Sequence, residues 1–206
     1  MLDEKRLKEI EKKVPIMKND REIVKDDKNK DLVKFYIDNA LTSLNTARIL
    51  SEVSAKISLK KNFDFIDDSF ETHLWIINSS YYSMFYTSGA LLAKIGIKIK
   101  SEIVIHKKTF EVLVYYFYLT KRIAKHYLEE FEEAQKESQG LLGAEEPATV
   151  MQKKALELVT KYDFEIEKRS TFTYNMGVKA KASKSETSLM RALEFYNECL
   201  KIMDKL

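Results

Sequence analysis

Apolar residues return along most of this chain at steps of three and four, the period of a helix with one face turned inward. From Lys30 to about Ser58 the stripe is Val33, Ile37, Ala40, Leu44 and Ala47, which predicts an amphipathic helix. Leu59 to Asp68 mixes charges with Phe63, Phe65 and Ile66 without a period, and a loop is expected there. Leu74, Ile77, Tyr81, Met84, Ser88, Leu91 and Ile95 then form an unbroken stripe, with Trp75, Tyr82, Tyr86, Gly89 and Ala93 as a second one beside it. Between Thr72 and Ala93 no residue is formally charged if His73 is neutral. A helix apolar on all sides belongs at the centre of a bundle, and Gly96 is a natural stop.

The next seam alternates four and three through His106, Phe110, Leu113, Phe117, Thr120, Ala124, Tyr127, Phe131 and Ala134. It predicts one long helix from about Ile103 to Ser138, packed in coiled-coil fashion and broken by SQGLLGAEEP. A further helix is expected from about Ala148 to Tyr174, closed by Gly177. Ser183-Lys184-Ser185-Glu186 has the form of a capping box, ahead of Leu189, Ala192, Tyr196, Cys199, Met203 and Leu206. At the other end, residues 1 to 30 hold 18 charges around a thin stripe of Leu7, Ile10 and Val14 that ends at Pro15. That reads as a short helix followed by a mobile connector. No segment reads as a strand. The expected fold is all-α: an up-and-down antiparallel bundle of four to five long helices (30–206) behind a short, charged N-terminal helix and connector (1–29).

Composition narrows the class. A chain of 206 residues is long enough for one well-buried domain, and only five glycines and two prolines leave few of the turns an all-β fold needs. The single Cys199 excludes an internal disulfide framework and fits a reducing cytoplasm. MLDEKRLKEIEKK lacks the apolar core of a secretory signal, and no 18-residue apolar run suggests a membrane span. Abundant Lys, Glu and Ile beside only three Gln lean toward a heat-adapted protein. The net charge of +3 is too small to announce a nucleic-acid binder, but its distribution is uneven. Lys168, Arg169, Lys179, Lys181 and Lys184 face no acid between 168 and 184, while Glu129 to Glu146 sets seven acids against Lys136. Opposed patches of this kind often pair within a dimer or simply solvate a surface.

Candidate chemistry is sparse. His106 opens the apolar seam and reads first as a partly buried, hydrogen-bonded histidine. His73 falls in a first helical turn with no partner in view. His126 stands at metal-ligand spacing from Glu129, Glu130 and Glu133, yet off the seam, and the repeated inward Glu-x-x-His of di-iron bundles is absent. Arg122 and His126 share a solvated face. Cys199 lies on an apolar stripe and reads as a small core residue, and no Gly-rich phosphate loop occurs. No metal or other cofactor is expected. The sharpest polar cluster is EKRSTFTYNMG, where Arg169 precedes Ser170, Thr171, Thr173, Tyr174 and Asn175. Charge, hydroxyls and rings together suit a phosphate with a neighbouring unstacked base. The same residues would equally serve a helix C-terminus, where a cation offsets the dipole and Gly177 caps.

The stretch SSYYSMFYTSGALLAKIGIKIKSEIVIHKKTFEVLVYYF resembles the core of HEPN domains. Their second and third helices carry an A-x-YY-x-MF-x-A-x-x-ALL-x-x-x-G pattern followed by a Ser/Thr-His-Lys turn. Tyr81, Tyr82, Met84, Phe85, Ala90, Leu91, Leu92, Gly96, His106, Lys107 and Phe110 match. Ser79 and Thr87 replace alanines, and Ile105 replaces the hydroxyl residue. The resemblance spans about residues 30 to 206, and EKRSTFTYNMG falls where the family places its Arg-x4–6-His motif.

Such a resemblance implies an α-helical bundle that usually forms a homodimer. In active members Arg and His of both subunits meet in the dimer cleft as a metal-independent endoribonuclease. There the RNA 2′-hydroxyl attacks the adjacent phosphate, with His as acid/base and Arg as phosphate clamp. Many members are toxins paired with a small nucleotidyltransferase antitoxin. Carried onto this chain, the clamp is Arg169 and the second polar group Tyr174, with His106 as a further catalytic candidate. Lys168, Ser170, Thr173, Asn175, Lys179 and Lys181 complete an RNA- or nucleotide-binding surface. Four, five and six residues beyond Arg169 the chain has Tyr174, Asn175 and Met176, and none is histidine. A branch of the family carries Tyr there. At a pKa of about 10 a tyrosine is protonated at neutral pH, a hydrogen-bond donor rather than a base. The alternative function is a catalytically silent module that partners a nucleotidyltransferase; a bundle that binds a small nucleotide is a third.

Overall fold

Charge-free from its first turn nearly to its last, the helix His73–Lys94 (α4) lies at the centre of an all-α bundle. A computed structural model of the chain describes residues 2–100, 104–142 and 182–206. In chain order the helices are α1 (Glu4–Asn19), α2 (Leu32–Ala55), the single turn α3 (Ile57–Lys60), α4, α5 (Ile105–Leu113), α6 (Lys125–Leu142) and α7 (Ala182–Asp204). Helix α4 packs against α2, α5, α6 and α7, burying Ile77, Tyr81, Met84, Leu91 and Leu92. Among the described residues no helix is long and apolar enough to cross a membrane.

Named contacts fix the directions. Thr72, just ahead of α4, donates its hydroxyl to the Leu50 carbonyl and its amide to the Ser54 hydroxyl oxygen, while Tyr36 reaches Gly89, so α2 and α4 are antiparallel. Tyr81 stacks on Phe131 and Ser138 meets Asn78, which runs α6 against α4. Arg191 pairs with Glu133 and Ser188 with Glu137, which runs α7 against α6. Among the described residues the long helices α2, α4, α6 and α7 therefore go up, down, up, down. Small residues permit the close seams: a Cβ on Gly89 would lie 2.8 Å from the Tyr36 ring, and Ala40, Ala47, Ser80, Ser83, Thr87 and Ala90 are wholly buried.

Several expectations need correction. Two short strands exist: β1 (Ile23–Lys25) and β2 (Ile97–Ile99) pair antiparallel, Ile23 opposite Ile99. Three-residue strands are too short to show alternation, and their partners are remote in sequence. Helix α1 does not end at Pro15 but runs through it to Asn19. Buried Val14 and Met17 flank the proline, and their packing outweighs the roughly 3 kcal/mol that an interior proline costs. The expected connector is β1 followed by a 3₁₀ turn, Asp27–Asp31.

The long helix expected over 103–138 is two. After α5 the backbone widens into a π turn, Val114–Tyr118, and Lys121 takes a left-handed φ of 59°. The Leu119 and Arg122 amides reach back five residues, to Val114 and Phe117. Thr120 and Ala124, seam residues by their spacing, are exposed, and Ile123 and Leu128 take up the buried register instead. Helix α6 then continues through Gly140 to Leu142, where a break was expected. Helix α7 is already formed at Ala182, so Ser183 is an exposed helical residue rather than a cap. Leu206 and Trp75, each assigned to an apolar stripe, are exposed. The helix expected over 148–174 lies outside the described residues.

Candidate functional site

His106 is the one candidate within the described residues, and its surroundings make it a packing residue. Val104, at φ 54°, turns the chain into α5 and delivers His106 to the flank of α4. The ring is buried, lies 4.3 Å from that of Phe85 and also contacts Tyr81 and Tyr82. Its Nδ1 shares a 2.6 Å hydrogen bond with the Tyr81 hydroxyl. Burial lowers its pKa from 6.5 to about 4, so at neutral pH the imidazole is uncharged. This arrangement pins α5 to α4. It gives the ring no open face toward a phosphate.

The other histidines also find plain roles. His73, expected to lack a partner, meets the Ser185 hydroxyl at 3.0 Å and ties the start of α4 to that of α7. His126 is exposed and lies over Tyr127, ring centroids 3.9 Å apart. Its neighbour Glu130 is raised above the ordinary carboxylate range, chiefly by burial. Among the described residues no group of three His, Cys, Asp or Glu side chains is gathered closely enough to hold a metal ion.

Cys199 is fully buried in α7 and burial pushes its thiol well up. A disulfide reagent should therefore label the native chain at a negligible rate and react fully once urea unfolds it. Rapid labelling without urea would show that α7 opens readily.

A polar seam that the sequence did not disclose joins α1 to the bundle. The Lys13 ammonium donates to both oxygens of buried Glu111, at 2.6 and 2.8 Å. The Arg6 guanidinium pairs with Glu132 at 2.5 Å and stands 5.0 Å above the Phe110 ring. Burial pulls the Glu132 carboxyl upward, but Arg6 and Lys136 together outweigh it and hold it below the usual range. A groove of about 390 Å³ opens beside these pairs. Acids and bases alternate around it, Asp3, Glu9 and Glu111 among Lys5, Arg6, Lys13 and Lys107, so its field nearly cancels and suits no anion in particular. Ion pairs between residues some hundred positions apart leave no periodic signal.

Arg169 and Tyr174 lie outside the described residues, as do Lys168, Ser170, Thr173, Asn175, Lys179 and Lys181. The described ends bracket that segment. Ser138, late in α6, bonds Asn78, and Ser185, early in α7, bonds His73, so the chain leaves α6 and re-enters α7 at the same end of the bundle. Compared with models of known families, with curated proteins and with solved structures, the chain matches none.

Proposed function

We propose that the chain is a HEPN-type homodimer that binds RNA or a nucleotide through the basic window 168–184, with Arg169 as phosphate clamp and Tyr174 as a neutral hydrogen-bond donor. The observation that carries it is the Tyr81-Tyr82-x-Met84-Phe85…Ala90-Leu91-Leu92…Gly96 pattern, followed by His106-Lys107 and, late in the chain, by an arginine among five bases with no acid. The all-α bundle with this helix at its centre agrees with the reading.

Chemically, a guanidinium offers paired donors to a phosphate, and charge-assisted hydrogen bonds of that kind are about twice as strong as neutral ones. Cleavage through the 2′-hydroxyl would also need a base, and His106, buried, neutral and bonded to Tyr81, is not positioned as one. Binding is therefore the core of the reading, and turnover as a metal-independent ribonuclease is its stronger form.

Fluorescence anisotropy with single-stranded RNA tests it. Affinity should fall steeply with salt as phosphates release their counterions, and Arg169→Ala should weaken it about tenfold. Incubation with chelator present should yield 2′,3′-cyclic phosphate ends if the stronger form holds. RNA left unbound at low salt, or bound equally by Arg169→Ala, would sink the reading. The tyrosine in place of the motif histidine favours the second one, a catalytically silent module whose partner is a small nucleotidyltransferase. That outcome would appear as a stoichiometric complex on co-expression with such an enzyme, with RNA ignored.

A further inference from the structure

Helix α2 buries Ala40, Leu44 and Ala47 and packs on α4 and α7, and the residues on its opposite side are exposed. Down the middle of that open side runs a row spaced four, three, four, three, four: Lys34, Asp38, Leu41, Asn45, Arg48 and Glu52, all exposed. Beside it, at heptad spacing, stand Phe35, Thr42 and Ile49, with Phe35 56% and Ile49 62% exposed. Two large apolar side chains so open, on a row that keeps the 3.5-residue period of a coiled-coil seam, make this side unlike an ordinary solvated helix face.

The order of charges along the row is its own complement. Read forward it is positive, negative, Leu, Asn, positive, negative; read backward against itself, every charge meets its opposite. An antiparallel copy centred level with Ser43 sets Lys34 on Glu52, Asp38 on Arg48 and Leu41 on Asn45, each twice by symmetry. A parallel, in-register copy would set like on like at all four charged positions. It would also set Asn45 on Asn45, the one polar match of that arrangement, which does not offset four like-charge contacts. An antiparallel copy slipped by one heptad in either direction would set charges on Leu41 and Asn45 and keep neither the Lys34–Glu52 nor the Asp38–Arg48 pair. Among the described residues of the single chain, Lys34 is held only by an exposed bond to Asp38 one turn away, Glu52 only by Lys56, and Arg48 has no ion-pair partner. Such exposed pairs are weak and re-pair at little cost.

We propose that this face of α2 is a self-association surface, pairing antiparallel with α2 of a second copy of the chain about a two-fold axis level with Ser43. The helices cross near the +20° of heptad packing. Two Asp38–Arg48 and two Lys34–Glu52 pairs fix the register, and the Phe35, Thr42 and Ile49 rows close alongside. In taking a second copy as partner the proposal rests on the homodimer of the reading above. Its test reads mass and not RNA: a monomer overturns the dimer in both, a dimer indifferent to the swaps overturns this face alone, and RNA left unbound overturns the reading alone.

Sedimentation velocity of the full chain should give a concentration-dependent dimer that loosens as salt is added. Asp38→Arg alone and Arg48→Asp alone each set like charges together twice, and each should raise the dimer dissociation constant about tenfold or more. The double variant Asp38→Arg/Arg48→Asp reverses both signs and should restore the parent value. Because all the exchanged positions are exposed, the monomer fold is untouched, which far-UV circular dichroism checks. In a Thr42→Cys chain the native Cys199 is buried, so mild oxidation should give a covalent dimer through residue 42 alone. A chain that stays monomeric overturns the proposal, and so does a dimer indifferent to the single swaps or not rescued by the double one.

Discussion

Phe131→Ala should lower the unfolding free energy by about 4 kcal/mol, the largest loss expected from a single truncation in this chain. Phe131 is wholly buried in α6 and touches an aromatic ring on each of three other helices. It stacks on Tyr81 of α4 at 5.9 Å and meets Phe110 of α5 at 6.1 Å and Phe195 of α7 at 5.6 Å. Alanine would empty the point where all four helices converge, and rings held by three separate backbones cannot collapse into the void. Phe131→Leu keeps most of the volume and should cost about 1 kcal/mol. Urea midpoints of the two variants decide the matter. A loss below about 1 kcal/mol for the alanine chain would mean that α6 is not seated on these rings.

The second large effect is a loss of stability in mild acid that depends on His106. Its folded pKa, about 4, lies below the ordinary 6.5 because burial disfavours the imidazolium. Above pH 6.5 the ring is neutral whether the chain is folded or not, and its contribution is complete. As pH falls through 6.5 the unfolded chain takes up a proton that the folded one refuses, so stability drains until pH approaches 4 and the folded ring titrates too. The span from 6.5 to about 4 corresponds to about 3 kcal/mol. Urea midpoints at pH 7 and pH 4 should therefore draw together in a His106→Gln chain, where a polar group still meets Tyr81 but no proton is taken. Equal pH dependence in parent and variant would count against a buried neutral ring.

Which parts of this architecture can be read from sequence follows from how locally each is encoded. Helix α4 announces itself, because more than twenty residues without a formal charge can only be surrounded by protein. The break within 103–138 does not, since Thr120 and Ala124 keep the four-three rhythm while the backbone departs from it at the π turn and Lys121. Apolar spacing reports which side chains could share a face, not whether the hydrogen-bond ladder between them is intact. The strands Ile23–Lys25 and Ile97–Ile99 are too short for a period, and the pairs Arg6–Glu132 and Lys13–Glu111 leave none at all. Of the candidate site, the packing role of His106 is written in its place on the apolar seam. The charge row of α2 is equally local, but it lies on the side opposite the apolar stripe, where spacing alone does not tell a solvated face from a contact surface.

The pairing of β1 with β2 carries a consequence for the order of assembly. It joins segments about seventy residues apart, so the loop between them must close before the strands gain anything from meeting. The pairing of α2 with α4 closes a much shorter loop. The amino-terminal arm, α1 with its strand, should thus lock last and peel away first. In native-state hydrogen exchange the amides of Ile23 to Lys25 should exchange through a smaller opening than those at the heart of α4, leaving a protein with one hinged edge around a slow core.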